Sequence, residues 1–349
     1  MLGYSTFVLL VIEISLRIFF AAPALEARLS VNDDYSWRRA WVRRQGATQD
    51  KIFYSFDRYH PMYGWATEPN LRDVPVFGDE ILNTNSRGLR GAREFPYERT
   101  PGQARIIILG DSFAFGDEVS DDETFAAYLQ TLLPEAEVIN MGVHGYGHDQ
   151  MLLLFLEEGL KYGPDMVVLG FLPADMERNL VGFRDYAKPR FIIRDGAPVL
   201  TNSPVPPPEE VLRWDWARPR LIDALSIITT GVEDYSGARE RQRALVTELI
   251  LDQLRGAIES VGAVPIFVYL PFGPEVSSRE HLLPGERVLF DYCAGKAGLY
   301  CFSTRPYFRA KIEAGVNFEA LFHWDPIGHQ TVAEGLFDFL VNQHQLLPR

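Results

Sequence analysis

The sequence predicts an open α/β fold on a parallel sheet of about five strands, with any chemistry at the carboxyl edge of that sheet. First, the run Ile106-Ile107-Ile108-Leu109 is wholly apolar and stops abruptly at Gly110-Asp111-Ser112, as a strand buried on both faces does when it delivers a hydroxyl to its end. Second, further apolar runs alternate with helical periodicity, which implies right-handed crossovers between parallel strands. Third, 349 residues with 47% apolar and 23% charged side chains suffice for one large domain with appendages or two small ones.

Taken in order, residues 1–26 read as a membrane anchor. Leu2–Ala24 is nearly all apolar, and about twenty such residues cross a bilayer. Glu13 and Arg17 interrupt it one helical turn apart, where they can pair, although each costs about 3 kcal/mol at mid-membrane. A cleaved signal peptide competes through Ala21, Ala22 and Ala24, but no basic segment precedes the apolar run; an amphipathic helix of a soluble protein is the third reading. The five arginines from Arg28 to Arg44 favour a cytoplasmic domain, whereas an initial anchor with a short N-terminus usually exports the domain behind it. The expected location is membrane-anchored with the domain outside the cytoplasm.

Residues 27–104 read as a juxtamembrane and N-terminal extension. Ser36 to about Ala47 predicts a helix, and Tyr59–Gly91, punctuated by Gly, Pro and Asn, predicts irregular strands and turns packed on the main domain. The main domain spans 105–349. Gly110 permits a turn, and the acids before Thr124 mark a helix start, so Ser112 sits in a strand-to-helix loop near backbone N–H donors. A helix is expected at Thr124–Leu133, a strand at Ala136–Met141, a helix at Asp149–Tyr162 and a strand at Asp165–Leu172. The first of these strands ends in the glycine-rich Asn140–Gly147 loop; the second ends at Ala174-Asp175 and Asn179. An insertion at about 181–261 comes next, with a Phe191–Leu200 hairpin, a Pro204–Pro208 spacer and helices at Glu209–Trp216 and Glu240–Val261, read as a cover for the active edge. Strands at Val264–Leu270 and Leu299–Phe302 flank a Gly285–Ala297 helix, and a last helix runs from Pro326 to about Gln343.

A formal charge of −13 argues against a nucleic-acid partner. The two cysteines, Cys293 and Cys301, exclude a paired-cysteine zinc framework; a disulfide between a helix end and the next strand and two free buried thiols both remain open. No cofactor or metal is expected. His323, Asp325 and His329 lack the spacing of helical metal motifs, and His329 reads as a packing or capping residue.

Ser112, Gly142, Ala174-Asp175 and His323 thus fall on loops at one edge, where a hydroxyl can find a base and N–H donors for an oxyanion. With these blocks in order, the sequence resembles the SGNH/GDSL hydrolase family from Arg105 to about Val341. Gly110-Asp111-Ser112-Phe113 matches the nucleophile block, Asn140–Gly147 the glycine block and His323–His329 the histidine block. The resemblance implies a flavodoxin-like three-layer α/β/α fold and acyl-ester chemistry, with Ser112 as nucleophile, His323 as general base and the N–H groups of Ser112 and Gly142 as oxyanion donors. The Tyr59–Gly91 preamble looks like that of membrane-anchored bacterial members.

Two positions depart from the family. Ala174 stands where an oxyanion Asn is usual, and Ala320 and Leu321 stand where an Asp precedes the histidine. Asp325 and Glu319 are the candidates to orient His323 instead. Asp111, His144, Asp175 and Asn179 are substrate-binding candidates, and His148 flanks the same loop. The expected activity is hydrolysis of an acyl ester, on the family's precedent a cell-envelope carbohydrate or lipid. A degenerate domain binding glycan or a partner protein, and an O-acyltransferase using the same serine, are the alternatives.

Overall fold

The computed structural model of the chain describes residues 2–22, 33–45, 52–318 and 322–347. Two helices, α1 (Leu2–Ala21) and α2 (Asp34–Arg44), precede the first strand of the central sheet, β1 (Ala104–Leu109). Then come α3 (Ser112–Phe115), α4 (Phe125–Leu132), β2 (Ala136–Asn140), α5 (His148–Glu157), β3 (Met166–Phe171) and α6 (Pro173–Arg178). An antiparallel hairpin, Arg190–Arg194 with Ala197–Thr201, leads to α7 (Pro208–Ala217), α8 (Arg220–Tyr235) and α9 (Ala238–Ser260). The chain ends with β4 (Val264–Tyr269), α10 (Pro284–Cys293), β5 (Tyr300–Ser303), α11 (Arg305–Glu313) and α12 (Pro326–Phe337).

The chain divides into two compact units, residues 66–178 with 247–349 and residues 1–65 with 179–246. The first holds the parallel five-stranded sheet, in the order β5-β4-β3-β1-β2, flanked by helices. Central β1 pairs on both sides, Ile107 facing Ile139 of β2 and Val167 of β3. Ile106, Ile107, Ile108 and Leu109 are wholly buried, as a strand covered on both faces requires. Leu129 of α4 and Val332 and Leu336 of α12 join Ile106, Ile108 and Val168 in one core. Arg105, also buried, is compensated by Glu137 at 2.6 Å and by the Tyr162 carbonyl at 2.7 Å. Cys293 at the end of α10 and Cys301 in β5 form a disulfide with Cα atoms 6.4 Å apart, which resolves the open alternative in favour of the bridge.

The second unit gathers α1, α2, the hairpin, α7 and α8. Its buried ionic knot joins Arg38 to Asp215 at 3.1 Å and to Asp223 at 2.6 Å, and joins Arg220 to the same two carboxylates. Trp41 packs against Phe183 and Tyr186. These contacts change the organisation read from the sequence. The expected insertion, about 181–261, splits at Val246, and its first part is compact with residues 1–65 because α2 carries the arginines that neutralise Asp215 and Asp223. Likewise the N-terminal extension is cut after Trp65.

Candidate active site

The strand-to-helix turn that presents Ser112 is fixed by its neighbours. Asp111 caps α3, its Oδ1 accepting from the Phe113 N–H at 3.0 Å. Gly116, at φ 92°, ends the helix in the left-handed region, its N–H donating to the Ser112 carbonyl at 2.9 Å. Ser112 therefore stands on a single helical turn directly beyond the carboxyl end of β1.

His323 Nε2 lies 2.9 Å from Ser112 Oγ, within reach for proton transfer. Its other nitrogen faces a carboxylate that the sequence did not single out. Glu118 Oε1 is 3.2 Å from Nδ1, and Glu118 Oε2 accepts from the His323 backbone N–H at 3.4 Å. The Nδ1 contact has ion-pair distance while its angle falls short of a hydrogen bond; such contacts in unliganded sites tighten when substrate binds. Glu118 is held at φ 69°, a conformation costing on the order of 1–3 kcal/mol for a residue with a side chain. Arg90 clamps the same loop, donating to the carbonyls of Gly116 at 3.1 Å and Val119 at 2.7 Å and pairing with Asp121 at 2.6 Å.

Burial holds the His323 imidazole below its ordinary value, against the upward pull of Glu118 and Asp111. The ring is consequently neutral near pH 7, the form a general base needs. Phe113 packs edge-on to it with centroids 4.9 Å apart.

The remaining candidates serve the frame. Asp325 caps α12, Oδ1 accepting from the Gly328 N–H at 2.7 Å. Glu319, Ala320 and Leu321 lie outside the described residues, as does Ala24. Gly142 packs so tightly on α3 that a Cβ would stand 2.3 Å from the Phe115 nitrogen. Its N–H donates to Asn140 Oδ1 at 2.9 Å, while Asn140 Nδ2 donates to the Ala114 carbonyl at 2.8 Å. One of the two expected oxyanion donors is thus already engaged.

Asp111 and Asp175 are drawn together by Arg178, whose Nη1 lies 2.8 Å from Asp111 Oδ2, 2.6 Å from Asp175 Oδ1 and 2.9 Å from the Tyr146 carbonyl. This one side chain ties the loops after β1, β2 and β3. Sequence reasoning passed over it, although the i, i+3 spacing of Asp175 and Arg178 on one helix was a usable signal. His144 is buried near the Phe115 ring, and His148 is buried against Phe171, which drives its pKa down to about 3. Asn179 is buried in the other compact unit. His329 is a capping residue, its Nδ1 accepting the Phe125 N–H at 3.2 Å. Among the described residues, no group of three His, Cys, Asp or Glu side chains is placed to hold a metal. A cavity of about 530 Å³ borders His323, with Val276, Phe308, Ile312 and Phe318 among its apolar walls.

No protein-family model matches the chain, and no curated protein matches it. Solved structures of similar fold include an α/β hydrolase from the metagenome of Lake Arreo, 15% identical with a TM-score of 0.41, covering 72% of this chain and 99% of that one. A lipolytic protein of the G-D-S-L family from Veillonella parvula is 12% identical, with a TM-score of 0.41 over 69% of this chain and 99% of its own. A catalytic mutant of an acetylxylan esterase from Geobacillus stearothermophilus is 15% identical, with a TM-score of 0.40 over 72% of this chain and 100% of its own. Overlaps this partial carry no weight for activity, which rests on the site itself. A five-stranded parallel α/β sheet with a Gly-Asp-Ser serine and a partnered histidine at its carboxyl edge is the arrangement that the resemblance to the SGNH/GDSL hydrolases implies.

Proposed function

We propose that the chain is a serine ester hydrolase in which Ser112 is the nucleophile, His323 the general base and Glu118 the group that orients and charges the imidazole. The observation that carries this reading is the line Ser112 Oγ, His323 Nε2, His323 Nδ1, Glu118 Oε1, with its two gaps of 2.9 and 3.2 Å. In the forward half, Ser112 Oγ attacks the ester carbonyl carbon as Nε2 takes its proton, and the tetrahedral oxyanion collapses as the alcohol leaves with that proton. Water then repeats the sequence on the acyl-serine and releases the acid. The Ser112 N–H is the donor proposed for the oxyanion. Gly142 joins it only if the Asn140 carboxamide yields its N–H.

Anchoring by α1 is part of the proposal. Tyr4–Ala21 has a mean hydropathy of 1.8 and is almost wholly unburied. The Cys293–Cys301 disulfide fits an oxidising compartment outside the cytoplasm. The cavity beside His323 offers apolar walls to an acyl group together with the polar side chains of Ser277 and Asn317, and the family precedent makes an acylated envelope carbohydrate or lipid the proposed substrate. A second reading, a weakened domain that binds glycan or a partner protein, is favoured by Ala174 and the engaged Gly142 N–H. An O-acyltransferase would use the same acyl-serine with a sugar hydroxyl in place of water. Hydrolysis of a panel of activated aryl esters, lost in Ser112→Ala, supports the hydrolase; a panel inert in both forms, with glycan or partner capture surviving Ser112→Ala, selects the binding module.

A further inference from the structure

The helix α8 has its polar side inward. Arg220, Asp223 and Thr230 are buried, whereas Ile222, Leu225, Ile228, Val232 and Tyr235 are 45% to 96% exposed. A helix on a water-soluble surface turns its apolar stripe to the core and its polar residues outward. The inward polar face has its own cause, because Asp223 receives Arg38 of α2 at 2.6 Å and Arg218 at 2.7 Å as well as Arg220. Among the described residues nothing comparable accounts for the outward stripe in water, and a face of this length is far more than the scattered apolar residues of an ordinary surface.

The stripe is continuous with α1. The Glu13 carboxylate accepts the N–H groups of Arg220 at 3.0 Å and Leu221 at 3.2 Å, in the first turn of α8. Arg17, paired with Glu13 at 2.7 Å, donates to the Arg218 carbonyl at 3.2 Å. The two charges that interrupt the apolar N-terminal segment are therefore the fitting that fastens α8 to it. Immediately upstream on α7, Trp214 is 53% and Trp216 80% exposed, in the residue type that gathers at membrane interfaces.

We propose that the apolar face of α8, with Trp214 and Trp216, lies in the lipid bilayer beside α1, so that the chain holds the membrane through two helices. At 16 residues α8 is about 24 Å long, short of a span, and it packs on the half of α1 that carries Glu13 and Arg17, with the stripe towards the acyl chains. The proposal builds on the reading of α1 as an anchor, and its test separates the two. Full-length protein is reconstituted in phosphatidylcholine–phosphatidylglycerol vesicles with a nitrobenzoxadiazole label on Ile228→Cys in α8, Ile14→Cys in α1 or Glu259→Cys in α9. Quenching is read from lipids carrying a nitroxide near the top of the acyl chain. The expected result is quenching at Ile228 and Ile14 severalfold above that at Glu259. Quenching at Ile228 no greater than at Glu259 overturns the proposal, and if Ile14 is still quenched the anchor stands alone. Quenching at Ile228 without Ile14 upholds the α8 face and removes the anchor. A label at Ile228 shielded from aqueous iodide yet untouched by the lipid nitroxide gives the face to a protein partner, and overturns the proposal as well.

Discussion

On one side of Ser112, His323 Nε2 stands at 2.9 Å with a carboxylate behind the ring; on the other, the Gly142 N–H is engaged by Asn140, and the resemblance puts Ala174 where an oxyanion Asn is usual. The base side is assembled from two distant segments, with backbone strain at Glu118 and a buried arginine clamp at Arg90. Asn140 and Arg178 hold the oxyanion side as frame. On the proposed reading, proton transfer is provided for and charge stabilisation limits the rate. Electrostatic stabilisation is usually the largest single contribution to such a reaction, so the chain is expected to be a slow catalyst with a sound base.

The most drastic substitution asks whether either side matters. Ser112→Ala is expected to lower the initial rate on an activated aryl acetate by about a thousandfold or more, to the uncatalysed background. Next, Ala174→Asn is expected to raise kcat by up to about a hundredfold, the worth of one oxyanion donor of about 3 kcal/mol. No gain in kcat with the fold intact by circular dichroism would mean that the oxyanion side is not limiting, and the contrast between the two sides would dissolve.

A smaller loss, about tenfold in kcat, is expected of Glu118→Gln, because the carboxylate is one-third exposed and its charge is partly screened. Its sign on the pH profile is more telling than its size. Glu118 raises the His323 pKa, so removing its charge moves the acid limb of kcat/KM further below the ordinary histidine value of about 6.5. A merely structural residue would leave that limb in place. The weakest effect on rate concerns the frame. Buried His148 and His329 have pKa values pushed down to about 3, so the unfolded chain binds more protons than the folded one between that value and about 6.5. Their contribution to stability is full above pH 6.5 and is lost as pH falls towards 3, by up to about 1.4 kcal/mol per pH unit for each. Urea midpoints at a series of pH values check this, and His329→Gln should flatten the slope.

The parallel sheet was legible because Ile106–Leu109 and Met166–Phe171 are runs that only a strand covered on both faces can carry, each broken by a sharp change of composition. The meeting of Ser112 with His323 was legible because each stands immediately after or within such a break. Glu118 was not, since a carboxylate two residues past a left-handed glycine reads as one acid among several in Asp117–Glu123, and only the φ of 69° turns it back towards His323. Asp325, close to His323 in sequence, is one of the two expected orienting acids, and its side chain caps the helix that Pro326 opens. Helix α8 escaped for a related reason. Its buried Asp223 is met by Arg38, 185 positions away, which no local periodicity encodes.

Whether Glu118 completes the base side can be read from the rate at which a fluorophosphonate modifies Ser112, followed by intact mass across pH in wild type, Glu118→Gln, Asp325→Asn and Glu319→Gln. The reagent needs an activated serine and no knowledge of the substrate. Modification at Ser112 is expected to show one acid limb below about pH 6.5, slowed about tenfold and shifted to lower pH in Glu118→Gln alone. A Glu118→Gln rate and limb identical to wild type, with the slowing found in Glu319→Gln or Asp325→Asn, would contradict the role given to Glu118.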